Sequence, residues 1–285
     1  MKGLGTALIT PFLENSEVDF EALDRLVEHQ IAGGTDYLVL LGTTSEVPTL
    51  TYEEQDAIIA HVVKKVAGRI PLVMGIGGNS THTVVKRINS VKDILKEHFV
   101  GILSVTPYYN RPQQEGLYQH FCAIAEASPV PVILYNVPKR TGVNMLPETT
   151  RRIYDAYPQK IAGIKEACGN LEQFAETLRI SNGDFSVISG DDDLACEMMK
   201  MGGAGLISVA SNAWPAEMKQ IVHKKDAMMQ AKMGHRIHLL FVEGNPSGIK
   251  TVLAEMGMIQ NILRLPMLPC TENTQMVIRR ALAMS

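Results

Sequence analysis

The sequence predicts an α/β fold, specifically a (β/α)8 barrel with additional C-terminal helices. Two observations lead there. Short apolar runs alternate with longer amphipathic stretches over the first three quarters of the chain, the pattern of parallel strands joined by crossover helices. The runs are also near-continuously apolar, as strands covered on both faces are. The length of 285 residues suits one such barrel with modest additions.

Strands are expected at LGTALITPF (4–12), DYLVLLGTT (36–44), IPLVMGIGG (70–78) and VGILSVTPYY (100–109). Four more are expected at VPVILYNVP (130–138), KIAGIKEA (160–167), FSVISGDD (185–192) and AGLISVASN (204–212). Between them the spacing turns helical. Phe20, Leu23, Val27 and Ile31 share a helix face that Gly33 and Gly34 end. Thr51 and Glu54 form a capping box. Pro147 and Pro215 suit first helical turns. An open doubly wound sheet fits less well, because GIGGNS lacks the spacing and acidic partner of a dinucleotide fingerprint. Beyond residue 226 the strands stop, and KKDAMMQAKMGHRIHLLFVEG, PSGIKTVLAEMG and ENTQMVIRRALAM read as helices. They are too few for a core of their own. The expected division is a catalytic barrel over 1–225 and a helical extension over 226–285 beside it.

Composition narrows the function classes. With 46% hydrophobic and 20% charged residues the chain can bury one large core. A net charge of −3 gives no reason to expect nucleic acid or an anionic membrane as partner. The apolar run at the start is too short and interrupted for a signal peptide, and none reaches membrane-spanning length. Cys122, Cys168, Cys196 and Cys270 show no disulfide or metal spacing. A reduced, cytoplasmic, soluble protein is expected.

In a parallel barrel the C-terminal strand ends open onto one face, where active sites lie. Read in order, those ends carry Thr43 and Thr44, Gly77 and Asn79, Tyr108 and Tyr109, Tyr135 and Arg140. Lys165 and Glu166, Gly190 and Asp191, then Ser208 and Ser211 complete the series. Strand alternation puts Ile161, Gly163 and Lys165 on one face, and Gly163 is taken to leave space on the inward side. Leu40, Gly42 and Thr44 share a face likewise, as do Ile133 and Tyr135. Partial desolvation of Lys165 would lower its pKa and free an amine that attacks ketones. Each residue alone has an ordinary explanation: a solvated lysine, a packed tyrosine, an arginine capping a loop. Their coincidence at successive strand ends favours catalysis.

The segments GTTSE, VTPYYNRP, YNVPKRTG, GIKEA and SGDDD resemble, in order and spacing, the motifs of the pyruvate-dependent Schiff-base aldolase family that contains dihydrodipicolinate synthase and N-acetylneuraminate lyase. The resemblance runs over essentially the whole chain. It implies condensation of pyruvate with aspartate semialdehyde to 4-hydroxy-tetrahydrodipicolinate, toward diaminopimelate and lysine. Lys165 matches the imine-forming lysine and Tyr135 the proton-shuttling tyrosine. Thr44 matches the threonine that links Tyr135 to Tyr109, and Tyr109 in the family reaches in from a neighbouring subunit. Thr43 matches a residue holding the pyruvate carboxylate, and Arg140 the arginine for the second substrate's carboxylate. Gly190 and Ile207 match positions whose backbone lines the pocket. The resemblance implies a homotetramer built from two tight dimers, with no cofactor and no metal.

The chain departs from the family pattern in places. Ser45 replaces the glycine of GTTGE, Val47 and Pro48 follow where small polar residues are common, and NPSGIK replaces NPIPVK. Gln55 and Thr83 stand where a histidine and an acidic residue serve feedback inhibition by lysine, although Asn79 and Tyr108 remain. Weak inhibition, or none, is expected. The alternative is a sugar-acid lyase of the same family, against which Arg140 argues, and a keto-acid sensor on a dead barrel is less consistent with the full set of residues. His235 and His238 read as exposed helix residues, Asp191–Asp193 as carboxylates at a helix N-terminus, and the Met-rich segments as packing.

Overall fold

Each of the eight apolar runs forms its strand in a computed structural model, which describes residues 1–181 and 185–283. The strands are β1 (Gly3–Ala7), β2 (Tyr37–Leu40), β3 (Leu72–Gly75), β4 (Gly101–Val105), β5 (Val132–Asn136), β6 (Ile161–Glu166), β7 (Ser186–Ser189) and β8 (Gly205–Ser208). They close into a parallel barrel in chain order. The helices are α1 (Phe20–Ala32), α2 (Tyr52–Val66), α3 (Thr81–Ser90), α4 (Lys92–His98), α5 (Gln114–Ala127), α6 (Pro138–Thr141) and α7 (Pro147–Ala156). They continue with α8 (Leu171–Ile180), α9 (Ala195–Lys200), α10 (Pro215–Lys224), α11 (Ala227–Leu239), α12 (Ser247–Glu255) and α13 (Glu272–Ala283). Met284 of the last predicted helix lies outside the described residues.

The strands are shorter than their apolar runs, because each run continues into turns that leave the ladder. After β2, Leu41 turns left-handed at φ 54° and Thr43–Ser45 form a 3-10 turn. The alternation that would align Thr44 with Leu40 therefore breaks at Leu41. The tyrosines after β4 lie on a loop instead of a strand end, with Tyr109 at φ 74°.

The residues group into two compact units. One combines Met1–Gly3 with Pro71–Ile207. Its ladder sets Val105 beside Tyr135, Tyr135 beside Lys165 and Lys165 beside Ile188. Gly163 is needed for a different reason from the one its sequence suggests: a Cβ there would fall 2.1 Å from the Ser186 carbonyl oxygen. Close approach of β7 requires it, not open space under the lysine.

The other unit combines Leu4–Ile70 with Ser208–Ser285. Here β1 pairs with β2, Gly5 beside Tyr37. Asp19 caps α1 by accepting from the Ala22 amide, and the helix buries Leu23, Leu26 and Val27. Thr51 and Glu54 form the expected capping box of α2, and Pro215 opens α10. The later helices pack as α10 on α11 and α12 on α13. No helix among the described residues is long and apolar enough to cross a membrane.

Candidate active site

The ends of β5 and β6 carry two adjacent cross-strand pairs with opposite destinations. Tyr135 pairs with Lys165, and one residue on Asn136 pairs with Glu166. Side chains alternate along a strand, so the two pairs point to opposite faces. Lys165 is only 6% exposed, and its Nζ sits 4.3 Å from the centroid of the Tyr135 ring. This sets on neighbouring strands the two residue types, an amine and a phenol, that can serve as nucleophile and proton carrier. Glu166 is fully buried on the other side, where Asn136 and Gln173 donate to it. Burial pushes its carboxyl up, against the pull of those hydrogen bonds. Glu166 is thus a buried structural carboxylate, not an open rim residue.

Arg140 sits exposed on the short turn α6, which Gly142 ends in a left-handed conformation at φ 74°. Arg111, which sequence reasoning did not single out, lies against the same turn: its Nε is 2.7 Å from where a Gly142 Cβ would stand. Gly190 closes on Lys165, since a Cβ there would be 2.9 Å from Lys165 Cε. Its N–H donates to the Glu166 carbonyl at 2.7 Å. Beside it, Asp191 holds a buried Oδ2 with no hydrogen-bond partner among the described residues. Burial raises its pKa, opposed by the charges of Lys139 and Lys165. Ile207 is fully buried in β8. Tyr109 is 89% exposed and Tyr108 41%. Asn110 anchors their loop by donating to the Asn79 carbonyl at 2.8 Å.

Thr43 and Thr44 belong to the other unit. Thr44 is buried, and its hydroxyl accepts from Asn245 Nδ2 at 3.0 Å. With an acceptor site filled, its proton stays available to donate. Asn245 was not singled out as a partner of Thr44, although its segment NPSGIK departs from the family pattern. Ser45 is tolerated because the left-handed residue of this turn is Glu46, at φ 56°. Its hydroxyl donates to the Gly42 carbonyl at 2.8 Å. Below the turn, Glu46 forms a fully buried ion pair with Lys250 at 2.5 Å. Ser211, grouped with the rim by sequence, is instead a buried tie that donates to Thr6 Oγ1 at 2.8 Å. His235 and His238 are exposed on α11, and no metal-ligand cluster occurs among the described residues.

A closed parallel barrel that ends one strand in a buried lysine beside a tyrosine has the build of barrel enzymes that work on carbonyl substrates. The chain belongs to the dihydrodipicolinate synthetase family, whose model matches residues 1–284. It is 48% identical to a 4-hydroxy-tetrahydrodipicolinate synthase of Parabacteroides distasonis, over 99% of this chain and 96% of that one. Its fold is similar to the dihydrodipicolinate synthase of Aquifex aeolicus, with a TM-score of 0.95 and 37% identity over 100% of this chain and 98% of that one. It is also similar to a structure described as the first monomeric dihydrodipicolinate synthase variant, with a TM-score of 0.94 and 40% identity over 99% and 96%.

Proposed function

We propose that Lys165 is the covalent centre of a lyase that condenses pyruvate with L-aspartate 4-semialdehyde to 4-hydroxy-tetrahydrodipicolinate, in lysine and diaminopimelate biosynthesis. The observation that carries the reading is the buried Lys165 amine over the Tyr135 ring at paired strand ends. The neutral amine attacks the keto carbon of pyruvate, and a proton delivered to the carbinolamine oxygen releases it as water. The resulting imine draws electrons from the methyl group, which loses a proton and becomes an enamine carbon nucleophile. That carbon attacks the aldehyde of the second substrate, whose own amino group then adds to the imine carbon and expels the Lys165 amine as the ring closes. Tyr135 carries the protons, with Thr44 and Tyr109 as its relay. Thr43 holds the pyruvate carboxylate, and the Gly190 and Ile207 backbones line the pocket. Arg140 receives the carboxylate of the semialdehyde, which a planar guanidinium matches with two parallel hydrogen bonds.

The barrel over 1–225, with 226–285 as a helical extension, is the proposed catalytic body. Cytoplasmic location and a homotetramer of tight dimers complete the reading. The near-complete exposure of Tyr109 supports its service to a neighbouring subunit. Mixing inactive Tyr109→Phe and Lys165→Ala variants should restore activity after verified subunit exchange; a mixture that stays inactive assigns Tyr109 to its own chain. The function itself is tested by offering pyruvate with aspartate semialdehyde or with N-acetylmannosamine. Consumption of the semialdehyde supports the reading, and exclusive turnover of the amino sugar replaces it with the sugar-acid alternative.

A further inference from the structure

We propose that the cluster of Asn136, Asn144 and Gln173 around the buried Glu166 carboxylate is the positioning device that holds Arg140 for the second substrate. The inference rests on the reading of Arg140 given above. Arg140 sits on a helical turn of four residues, far too short to be stable alone. Its placement depends on the two ends of the loop that carries it, and both ends converge on one side chain. Asn136 leaves β5 at the start of the loop, while Asn144 and Met145 end it. Asn136 Oδ1 accepts from the Met145 N–H at 3.0 Å. Its Nδ2 donates to Asn144 Oδ1 at 2.8 Å and to Glu166 Oε1 at 2.9 Å.

The amide orientations follow from chemistry. A backbone N–H only donates, so Asn136 must turn its oxygen to Met145 and its nitrogen to the carboxylate. Gln173 on α8 must likewise turn Nε2 to Glu166, at 3.1 Å, which leaves Oε1 to accept from Asn144 Nδ2 at 2.7 Å. The Cys168 amide supplies a further donor to Glu166 Oε1 at 3.0 Å. A buried acceptor-only group thus meets donors alone, and every side-chain amide in the ring both donates and accepts. Because Asn136 and Glu166 directly follow Tyr135 and Lys165, the clamp fixes the Arg140 loop to the strand pair that carries the amine.

Asn144 and Gln173 are only partly buried, so their truncation spares the core. Asn144→Ala and Gln173→Ala should each raise KM for aspartate semialdehyde about tenfold, the scale of one buried hydrogen bond lost. The rate of borohydride trapping with pyruvate should stay within about twofold of the parent, because the strand ladder under Lys165 is untouched. Glu166→Gln, which sets an NH2 against surrounding donors, should produce a larger change in the same direction. Arg140→Ala is the control. If it raises KM for the semialdehyde while the cluster variants lower only Tm, the cluster is merely structural and the proposal is overturned. If the cluster variants slow pyruvate trapping as much as they impair the semialdehyde, they act on the amine, and the proposal is again overturned. If Arg140→Ala itself leaves that KM unchanged, the second-substrate role of Arg140 fails and the proposal falls with it.

Discussion

Replacing Gly190 with alanine should disable the amine without removing any functional group. The added Cβ would stand 2.9 Å from Lys165 Cε, 2.6 Å from Ala167 Cβ and 3.2 Å from the Glu166 carbonyl oxygen. Carbon atoms sit comfortably at about 3.5–4.0 Å, so the lysine stem must retreat by roughly 0.6 Å or more. Ala167 gives no relief, since its N–H is tied to the Asn136 carbonyl at 2.9 Å. Overpacking of this kind costs about 1–3 kcal/mol of stability. Misplacing a reacting group by about 1 Å costs on the order of a hundredfold in rate. The expected result is a folded protein with a modestly lowered Tm and pyruvate trapping slowed by roughly ten- to a hundredfold. Intact-mass measurement of the borohydride-reduced adduct over time reads this directly. Gly234→Ala is the control, because nothing lies within 4 Å of its added Cβ, and it should trap pyruvate at the parental rate. A Gly190→Ala variant that traps equally fast would refute the claim that this glycine makes room for the lysine.

Three further outcomes follow from other sites. Burial lowers the pKa of His120 from 6.5 to about 4; the unfolded chain therefore takes up its proton first on acidification, and stability present above pH 6.5 is lost as the pH falls toward 4, by up to about 3 kcal/mol. A His120→Gln variant should show a smaller loss of Tm between pH 7.5 and 5 than the parent, and an equal loss would contradict this. Lys250→Met leaves Glu46 charged and buried without its partner, which should cost about 3–5 kcal/mol in chemical denaturation, while the Glu46→Gln, Lys250→Met pair recovers most of it; a single variant as stable as the double one would show the ion pair to be inert. Free lysine should inhibit weakly or not at all, because Gln55 donates its amide to the Leu50 carbonyl at 3.2 Å and Thr83 bonds Ser80 at 3.2 Å, so neither offers a charge to an ammonium. Titration of lysine into the steady-state assay checks this, and strong inhibition at low concentration would reverse it.

The barrel was legible in the sequence because buried parallel strands are near-continuously apolar, and all eight runs became strands. Lys165, Tyr135 and Gly190 were legible for a related reason: a polar or glycine residue directly at the end of such a run stands out. The ends of the runs were less readable. Apolar residues such as Leu41 continue the composition of the strand while the backbone leaves it, so alternation stops at Leu40 and does not set the direction of Thr44. The tyrosine loop failed in the same way. Asn245 and the Asn136–Asn144–Glu166–Gln173 clamp stayed hidden because their partners lie between seven and about two hundred residues apart. Amide side chains have no periodicity to betray a long-range hydrogen bond. Gly163 shows the reverse case, a correctly placed residue with the wrong reason, since only coordinates reveal that β7 runs against it.

In the proposed mechanism one particular amine, Lys165, carries pyruvate. Reduction with borohydride in the presence of pyruvate, followed by digestion and peptide mass measurement, tests it most directly. A single reduced pyruvate adduct is expected, on the peptide containing Lys165, absent when pyruvate is omitted and absent in Lys165→Ala. An adduct on Lys139, whose charge acts on Asp191 as that of Lys165 does, would contradict it, as would the absence of any adduct.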